Sequence, residues 1–490
     1  MRAAPDPTPQ RVSALLPWLV AVAFFMQSLD TTILNTAVPS IARALHVPPL
    51  SMKAVLASYT LSLAVFIPVS GWMANRFGTR AVFAGAIGLF ALGSLLCGLS
   101  RNIHLLVACR VLQGCGGAMM VPVGRLTLVR ALPKSELVRA MSFVAVPALI
   151  GPMLGPIAGG LITDYSHWSV IFFLNVPIGF AGLYLVYRYL PDYREADTAA
   201  LDVSGLLLFS SGIALLSYVL EVFGEHRLGG AAILGLLALS ALLLAGYGMH
   251  ARVAPHPLLP LSLFGIRTFR AAVSGSFLTR IGIGGIPFLF PLLYQVGLGY
   301  SAVQSGLLMM PQAFAAMSLK MTMPRILARF GYRAVLISNT IVLGVLIMLF
   351  ATIGVATPLW MIVALTFAYG FFQSLQFTSM NTLVYADIAT EAAGDASSIA
   401  STAQQLSMSF GIATASLVAA LFLPDRFHTD AAQMIHGVDR AFLVLGLGTL
   451  ASTAVFATLE PADGSAISQH QASQQPGGDL PVAPPPAAPE

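Results

Sequence analysis

The sequence GWMANRFGTR occupies residues 71–80 and separates two long apolar runs. A shorter version, ARFGYR, occupies residues 328–333 and again separates two apolar runs. The first copy follows the second apolar run of the chain, and the second copy follows the tenth. A motif that returns at the same place in two sets of six runs indicates two related helical bundles. The seventh and eighth runs are then inserted between the bundles.

The composition of the 490-residue chain is that of a polytopic membrane protein. Hydrophobic residues make up 57% and charged residues 9%, whereas an ordinary soluble domain has about 25% charged residues. About 20 apolar residues span a bilayer. Fourteen such runs lie near residues 16–37, 54–74, 81–99, 104–129, 140–161, 169–189, 203–221, 231–249, 271–296, 302–324, 334–354, 358–385, 398–422 and 439–458. The predicted fold class is all-α, with two six-helix bundles plus two inserted helices.

The runs divide the chain into five predicted parts. These are a cytoplasmic N-terminal segment at 1–13, a six-helix bundle at 14–200, two inserted transmembrane helices at 201–250, a linker and second six-helix bundle at 251–460, and a disordered cytoplasmic tail at 461–490. Basic residues favour the connectors on the side of the termini by fifteen to six. The positive-inside rule therefore predicts that both termini are cytoplasmic.

The residue types present argue against several function classes. Lysine occurs only at positions 53, 134 and 320, and no Gly-Lys-Ser/Thr sequence exists, which excludes a phosphate-binding loop and an ATP-driven pump. The three cysteines lie inside apolar runs, and His-Glu-x-x-His is absent, which argues against a disulfide framework and a zinc site. The net charge of +5 is scattered between apolar runs. We therefore expect no enzyme, cofactor, metal or nucleic-acid partner.

Five charged side chains fall inside predicted spans and are candidates for function because charges there are costly. They are Asp30, Arg110, Arg125, Arg280 and Lys320. Asp30 and Arg110 lie roughly 10 Å and roughly 9 Å from the outer ends of their helices, so they can share a depth and pair. Burial favours the neutral form of a carboxyl, and a nearby arginine favours its charged form. The pair is therefore either a proton-coupling device or a permanent structural contact.

The embedded charges also bear on the substrate. Arg280 lies near the middle of its run, beside glycines that allow close approach, and is the leading candidate for substrate contact. Arg125 and Lys320 lie nearer the cytoplasmic ends and can snorkel. An excess of four cations over one acid favours anionic or zwitterionic substrates. Further candidate substrate contacts are Asn35, Gln113, Gln295 and Gln376, although embedded amides often only join helices.

The fifth run is rich in glycine and proline. It reads GPMLGPIAGG at residues 151–160, which predicts a kinked helix with little side-chain bulk on one face. Such a face suits close packing against a moving neighbour. The candidate gating residues there are Gly151, Pro152, Gly155, Pro156, Gly159 and Gly160.

Four motifs together resemble those of the major facilitator superfamily, in its fourteen-helix drug/proton antiporter branch of EmrB- and QacA-like exporters. Residues 29–39 (LDTTILNTAVP) resemble the first-helix motif, and residues 71–80 resemble the loop motif between helices two and three. Residues 110–117 (RVLQGCGG) resemble the fourth-helix motif with its proton-linked arginine, and residues 151–160 resemble the antiporter motif. The resemblance covers about residues 15 to 460.

Four shorter stretches support the same branch. Residues 175–179 (NVPIG) and 257–264 (PLLPLSLF) are similar to it, and residues 24–30 (FFMQSLD) and 287–292 (PFLFPL) resemble its MdtD-like group. The resemblance implies a monomeric secondary transporter in a bacterial inner membrane that exports drugs in exchange for protons. Its partners are then a small-molecule substrate, protons and lipid. Export of an organic anion such as a carboxylate, and proton-independent facilitation, are the alternatives.

The loop motif departs from the family pattern at one position. The resemblance makes Gly71, Asn75, Arg76, Gly78 and Arg80 candidate gating residues. The family usually has Asp where this chain has Asn75, and that acid helps to hold the cytoplasmic side shut. The substitution keeps the shape of the side chain and loses its charge, so we expect a weaker cytoplasmic lock.

Replacing Asn75 by Asp restores the charge and is expected to shift the population towards the state that is closed on the cytoplasmic side. Cysteine-accessibility labelling at cytoplasmic-cavity positions should then slow. Labelling rates that are the same in Asn75→Asp and in the parent protein would contradict this prediction.

Overall fold

The computed structural model describes residues 16–132, 134–195, 200–222, 229–319, 322–389, 392–423 and 430–465, and these residues form helices joined by short loops. The predicted all-helical fold class is confirmed. The first half of the chain contains α1 (Leu16–Ala44), α2 (Lys53–Phe77), α3 (Thr79–Gly98), α4 (Ile103–Ala131), α5 (Lys134–Tyr165), α6 (Val170–Phe173) and α7 (Asn175–Tyr189). The inserted pair is α8 (Val203–Val222) and α9 (Gly230–Val253).

The second half repeats this arrangement, and its first and last helices are divided into shorter pieces. It contains α10 (Arg267–Gly284), α11 (Ile286–Pro291), a π-helical turn at Leu292–Gly297, α12 (Ala302–Ser318), α13 (Met323–Leu349), α14 (Leu359–Leu383), α15 (Ala393–Leu421), α16 (Ala431–Ala451) and α17 (Thr453–Phe456). In the described residues, eleven helical segments are long and apolar enough to cross a membrane. The count of fourteen spans and the predicted part boundaries stay predictions.

Two left-handed glycines mark the repeat that the sequence motif predicted. Gly78 joins α2 to α3 with φ of 93°, and Gly331 interrupts α13 with φ of 71°. This backbone region disfavours residues with a Cβ atom, which explains why both motif copies carry glycine there. In each half, the segment that follows the last helix packs on this turn. Asp192 lies against Gly78, and Gly464 lies against Tyr332.

The predicted tail therefore begins with docked residues. Arg267 at the start of α10 forms ion pairs with Glu460 and with Asp463, the second at 2.7 Å between Arg267 Nη2 and Asp463 Oδ1. These contacts hold residues 461–465 against the second half. The rest of the tail and the predicted N-terminal segment 1–13 lie outside the described residues.

The inserted helices are tied together at their ends by Asp202. Its carboxylate accepts hydrogen bonds from the Gly205 N–H at the start of α8 (2.8 Å) and from His250 Nε2 on α9 (2.7 Å). A third bond comes from the Leu258 N–H at 3.1 Å. Burial opposes the charge of Asp202, but these donors outweigh it and hold the pKa of that carboxyl below its ordinary value.

The two halves meet mainly at one end of the molecule. We call this end the far face; it holds the loops at 45–52, 166–169 and 298–301. The opposite end, which holds Gly78 and Gly331, is the terminal face. At the far face both halves share one apolar core, to which Ile41 of α1 and Phe290 of α11 belong. Towards the terminal face each half has its own core, with Ala64 of α2 joining that of the second half.

Polar contacts reinforce the far-face contact between the halves. Gln295 Nε2 in the π-helical turn donates to the Thr36 carbonyl of α1 at 2.8 Å. Ser416 Oγ of α15 donates to the Leu50 carbonyl at 3.2 Å. The Asp164 carboxylate at the end of α5 accepts the first N–H groups of α12. The far face is therefore closed. At the terminal face the two halves share less of their packing, because each half has its own core there.

Helices α5 and α12 can approach closely because Gly160 lies at their crossing. A Cβ atom on Gly160 would lie 2.5 Å from the Ala302 carbonyl oxygen. That distance is too short for a non-bonded contact, so a side chain here requires the backbones of α5 and α12 to separate.

Replacing Gly160 by Val is expected to push α5 away from α12 and to open the far face. The readout is maleimide labelling of Ser416→Cys, which is buried at this face, in a Cys115→Ala background because Cys115 is partly exposed. Labelling should accelerate at least severalfold. Gly235→Val in α9, where a Cβ atom meets nothing within 4 Å, is the control and should leave the rate unchanged. Equal rates in both variants would refute the prediction.

Candidate functional site

The centre of the first half is a buried ion pair between α1 and α4. Arg110 Nη1 lies 2.6 Å from Asp30 Oδ2, and both side chains are only 1% exposed. A small residue next to the pair brings α4 close to α2. Gly114, one turn beyond Arg110, packs against Ser62 of α2, and a Cβ atom there would lie 2.5 Å from the Ser62 Cβ atom. The structure thus brings together the two residues predicted for proton coupling.

Side-chain amides complete the hydrogen bonding of the Asp30 carboxylate. Gln113 Oε1 accepts from Arg110 Nη1 at 2.7 Å, while Gln113 Nε2 donates to Asp30 Oδ1 at 2.9 Å. Asn175 Nδ2 at the start of α7 donates to the same oxygen at 2.9 Å and lies 3.1 Å from Ser94 Oγ. Gln113, predicted to contact substrate, is therefore a partner of the ion pair.

The arginine of the pair also lies against the face of an aromatic ring. The Arg110 guanidinium carbon lies 4.2 Å from the centre of the Tyr59 ring, a favourable cation–π distance. Sequence reasoning missed Tyr59, Ser94 and Asn175 as parts of this site. The only signal was the NVPIG stretch that contains Asn175, and nothing in that stretch specified a partner.

The buried Asp30 carboxylate depends on the partners described above for its charge. The charged form keeps the contact with Arg110 and the amide donors, which offset its desolvation. A proton that reaches Asp30 neutralises it and removes the attraction to Arg110. Protonation of Asp30 therefore changes the force that joins α1 to α4, and this is the physical requirement for coupling proton binding to helix movement.

The second half contains a buried arginine of a different kind. Arg280 on α10 is 1% exposed, and its Nε atom donates to Ser276 Oγ at 2.8 Å. Its Nη2 atom donates to Asn381 Oδ1 at 3.0 Å, and its guanidinium lies 3.9 Å from the centre of the Phe377 ring. No carboxylate lies within 4.0 Å of it among the described residues. Arg280 is thus a buried cation with neutral partners.

The other predicted substrate contacts are dispersed. Asn35 is half-buried on α1, and Arg125 is exposed on α4 with its guanidinium 5.7 Å from the Phe24 ring. Gln295 bonds to Thr36 at the far face, as described above. Lys320 lies outside the described residues.

Gln376 is completely buried between α13 and α14. Its Nε2 atom donates to Thr340 Oγ1 at 2.8 Å, and its Oε1 atom accepts from Asn339 Nδ2 at 2.6 Å. Both polar ends of the amide are therefore used in joining helices, which is the alternative that the sequence left open.

The architecture and the buried pair can now be compared with known proteins. The sequence profile of the Major Facilitator Superfamily matches residues 20–412, which is most of the chain. The chain belongs to the Major Facilitator Superfamily. It is therefore a multi-pass membrane transporter, and the superfamily moves small molecules.

Two proteins that are similar to this chain over most of its length share one name. One is named "Putative multidrug resistance protein MdtD" in Serratia proteamaculans (strain 568); it is 40% identical over 460 residues, covering 91% of this chain and 96% of that protein. The protein of the same name in Escherichia coli O7:K1 is 43% identical over 414 residues, covering 84% of this chain and 88% of that one. The predicted MdtD-like resemblance is confirmed.

A solved structure shows the same fold. The D-xylose–proton symporter aligns with a TM-score of 0.64 at 15% sequence identity, covering 91% of this chain and 98% of that one. At this identity the likeness concerns the fold alone. The predicted major facilitator fold is therefore confirmed.

The superfamily loop motif is bonded within the first half. Asn75 Oδ1 accepts from Arg130 Nη2 at 3.0 Å, and Arg130 also forms an ion pair with Glu195. The Arg80 N–H donates to Asp192 Oδ1 at 3.0 Å, and the Arg76 carbonyl accepts from Arg194 Nε at 2.9 Å. The segment after α7 thus holds the loop. Gly71 differs, because a Cβ atom there would meet nothing within 4 Å.

The glycines of the antiporter motif pack against two different helices. A Cβ atom on Gly151 would lie 2.9 Å from the Leu29 backbone nitrogen of α1, and Gly155 and Gly159 pack on the next turn of α1. Gly160 faces α12 instead, as described above. Pro152 and Pro156 lie within this stretch, and α5 continues through them from Lys134 to Tyr165. Helix α5 is therefore one connection between the Asp30 helix and the second half, beside the direct far-face contacts of α1.

Replacing Asn175 by Leu removes a donor from Asp30 without changing a charge. We expect a loss of about 1–3 kcal/mol in the free energy of unfolding, since the carboxylate oxygen keeps its burial and loses a partner. Thermal unfolding of the purified protein in detergent measures this. Ser338→Ala, at an exposed hydroxyl that bonds back to its own helix, is the control and should leave the stability unchanged. Unchanged stability in Asn175→Leu would contradict the described network.

Proposed function

We propose that this protein is a proton-coupled secondary transporter that exports drugs from the cell by drug/proton antiport. The observation that carries the proposal is the buried Asp30–Arg110 pair with its amide donors Gln113 and Asn175. A proton on Asp30 weakens the pair, and loss of the proton restores it. The pair therefore serves as the coupling site, and the names of the MdtD relatives support multidrug export as the role.

The closed far face supports an alternating-access cycle. With both termini in the cytoplasm, as the distribution of basic residues favours, the far face is the outer side of an inner membrane. The state described is then closed to the outside. Helix α5 packs on the helix of Asp30 through Gly151 and on α12 through Gly160, so a change in the pair reaches the contact between the halves. The proposed unit is a monomer.

A second candidate function is export of an organic anion such as a carboxylate. Arg280 favours it, because a buried guanidinium whose partners among the described residues are neutral can form charge-assisted hydrogen bonds with an anionic substrate. A proton-independent facilitator is the third possibility. It would use the same fold with the Asp30–Arg110 pair as a fixed structural contact.

The test of proton coupling is Asp30→Asn in proteoliposomes. Proton release is recorded after adding a cationic dye or a tricarboxylate. We expect the parent protein to release protons with one of these substrates and Asp30→Asn to lose the release completely, because an amide cannot exchange a proton. Asp430→Asn, at an exposed acid on the far face, is the matched control and should behave like the parent.

Each outcome separates the candidates. Release driven by the dye supports drug export, and release driven by the tricarboxylate supports anion export. Substrate uptake that persists in Asp30→Asn without proton release would show a facilitator and overturn the coupling role of Asp30.

The test of Arg280 is substitution by Gln, which keeps a hydrogen-bond donor and removes the charge. If Arg280 binds an anionic substrate, the loss of a charge-assisted hydrogen bond, about 1.5–3 kcal/mol, raises the KM of the tricarboxylate roughly 10- to 100-fold. Arg252→Gln, at an exposed position on α9, is the control. An unchanged KM for the tricarboxylate, with transport still measurable, would remove Arg280 from the substrate site.

A further inference from the structure

A cleft of about 830 Å³ opens on the far face, away from the Asp30 site. Both halves line it. The first half contributes the end of α1 and the loop that follows, and the second half contributes the π-helical turn and the start of α12. Two of the contacts that join the halves, those of Gln295 and Asp164, also border this cleft. Contacts that close the far face therefore also form the walls of this cleft.

One end of the cleft holds an arginine that forms no ion pair among the described residues. Arg43 and His46 both line it with exposed side chains, and the Arg43 guanidinium has one neutral contact, with Ser40 Oγ at 3.3 Å. The acid of the cleft is Asp164, whose two oxygens accept the Ala302 N–H at 3.2 Å and the Val303 N–H at 2.9 Å. These N–H groups begin α12 and carry its positive dipole end, so Asp164 is held at the start of α12 and part of its charge is offset there.

The backbone turns at the Arg43 end of the cleft, where α1 ends. His46 has φ of 55°, the only positive φ of a non-glycine among the described residues. The Val47 N–H donates to the Ala42 carbonyl at 3.0 Å, which is a common way to end a helix. The rest of the wall is apolar and includes Ala42, Val47, Val296 and Met434. A ligand that suits the whole cleft has an acidic group at one end and an apolar body.

We propose that this cleft binds an amphiphilic organic anion, with its acidic group on Arg43 and His46 and its apolar body between the halves. Such a ligand contacts both halves at once. Its binding free energy then adds to the stability of the state with a closed far face and to no other state. The bound anion is therefore an inhibitor that holds the transporter in that state, a consequence that rests on the alternating access proposed above.

The test uses the full chain in nanodiscs of zwitterionic phosphatidylcholine, with cholate below its micelle concentration as the probe. The readout is maleimide labelling of Ser416→Cys in a Cys115→Ala background, since residue 416 is buried at the far-face contact. We expect cholate to slow labelling at least threefold at saturation. Arg43→Gln should abolish this effect. Arg101→Gln, at an exposed arginine of the same face that does not line the cleft, should retain it.

A second arm identifies the source of the anion. Nanodiscs that contain phosphatidylglycerol, without cholate, should slow labelling through Arg43 if a lipid headgroup is the natural occupant. The proposal would be overturned if neither cholate nor phosphatidylglycerol slows labelling. It would also be overturned if the slowing persists in Arg43→Gln. Arg280→Gln must retain the cholate effect, because its loss would place the anion in the substrate site instead.

The outcome is separable from that of the proposed function. Slowed labelling that depends on Arg43, in a protein that shows no substrate-driven proton release, would support anion binding in the cleft and contradict antiport. Proton-coupled transport without any effect of cholate or lipid would support antiport and contradict anion binding in the cleft.

Discussion

The organisation of this transporter depends on the cost of placing the Asp30 charge inside a membrane. Charge in hydrocarbon is unfavourable unless it is paired and fully hydrogen-bonded. The first half meets this requirement by bringing four helices to one carboxylate: α1 carries it, α4 supplies Arg110 and Gln113, α7 supplies Asn175, and α3 supports Asn175 through Ser94. Side chains of these helices thus converge on that one group, and a proton is the simplest agent that can change its charge.

The second half solves the same problem differently. Arg280 is as deeply buried as Arg110, yet its partners are a hydroxyl, an amide and an aromatic ring. A carboxylate stabilises a buried guanidinium more strongly than neutral hydrogen-bond partners and the face of an aromatic ring do. The two related halves have thus diverged: the first holds an internally neutralised pair, and the second holds an arginine that has no acidic partner among the described residues. This asymmetry fits the proposed roles of Asp30 in proton coupling and of Arg280 in substrate binding.

Helix α5 connects the helix of Asp30 with α12 of the second half. Its glycines leave no side-chain bulk between α5 and α1 on one side or between α5 and α12 on the other. Packed backbones of this kind transmit small displacements because no flexible side chain absorbs them. The loop motif has a different role in the state described. Asn75 bonds to Arg130 of its own half, so here the motif stabilises one bundle and does not bridge the two.

The sequence by itself determined the helical fold, the two related halves and the candidate charges. Apolar length, the motif that returns at 71–80 and 328–333, and the rarity of embedded charges are local properties, and each can be read along the chain. Only the tertiary structure decided which polar groups meet. Gln113 and Gln376 are similar as embedded amides in sequence, yet one completes the Asp30 network and the other joins α13 to α14. Asn175 lies 145 positions from Asp30, and a contact between helices so distant along the chain depends on packing angles that no local pattern encodes.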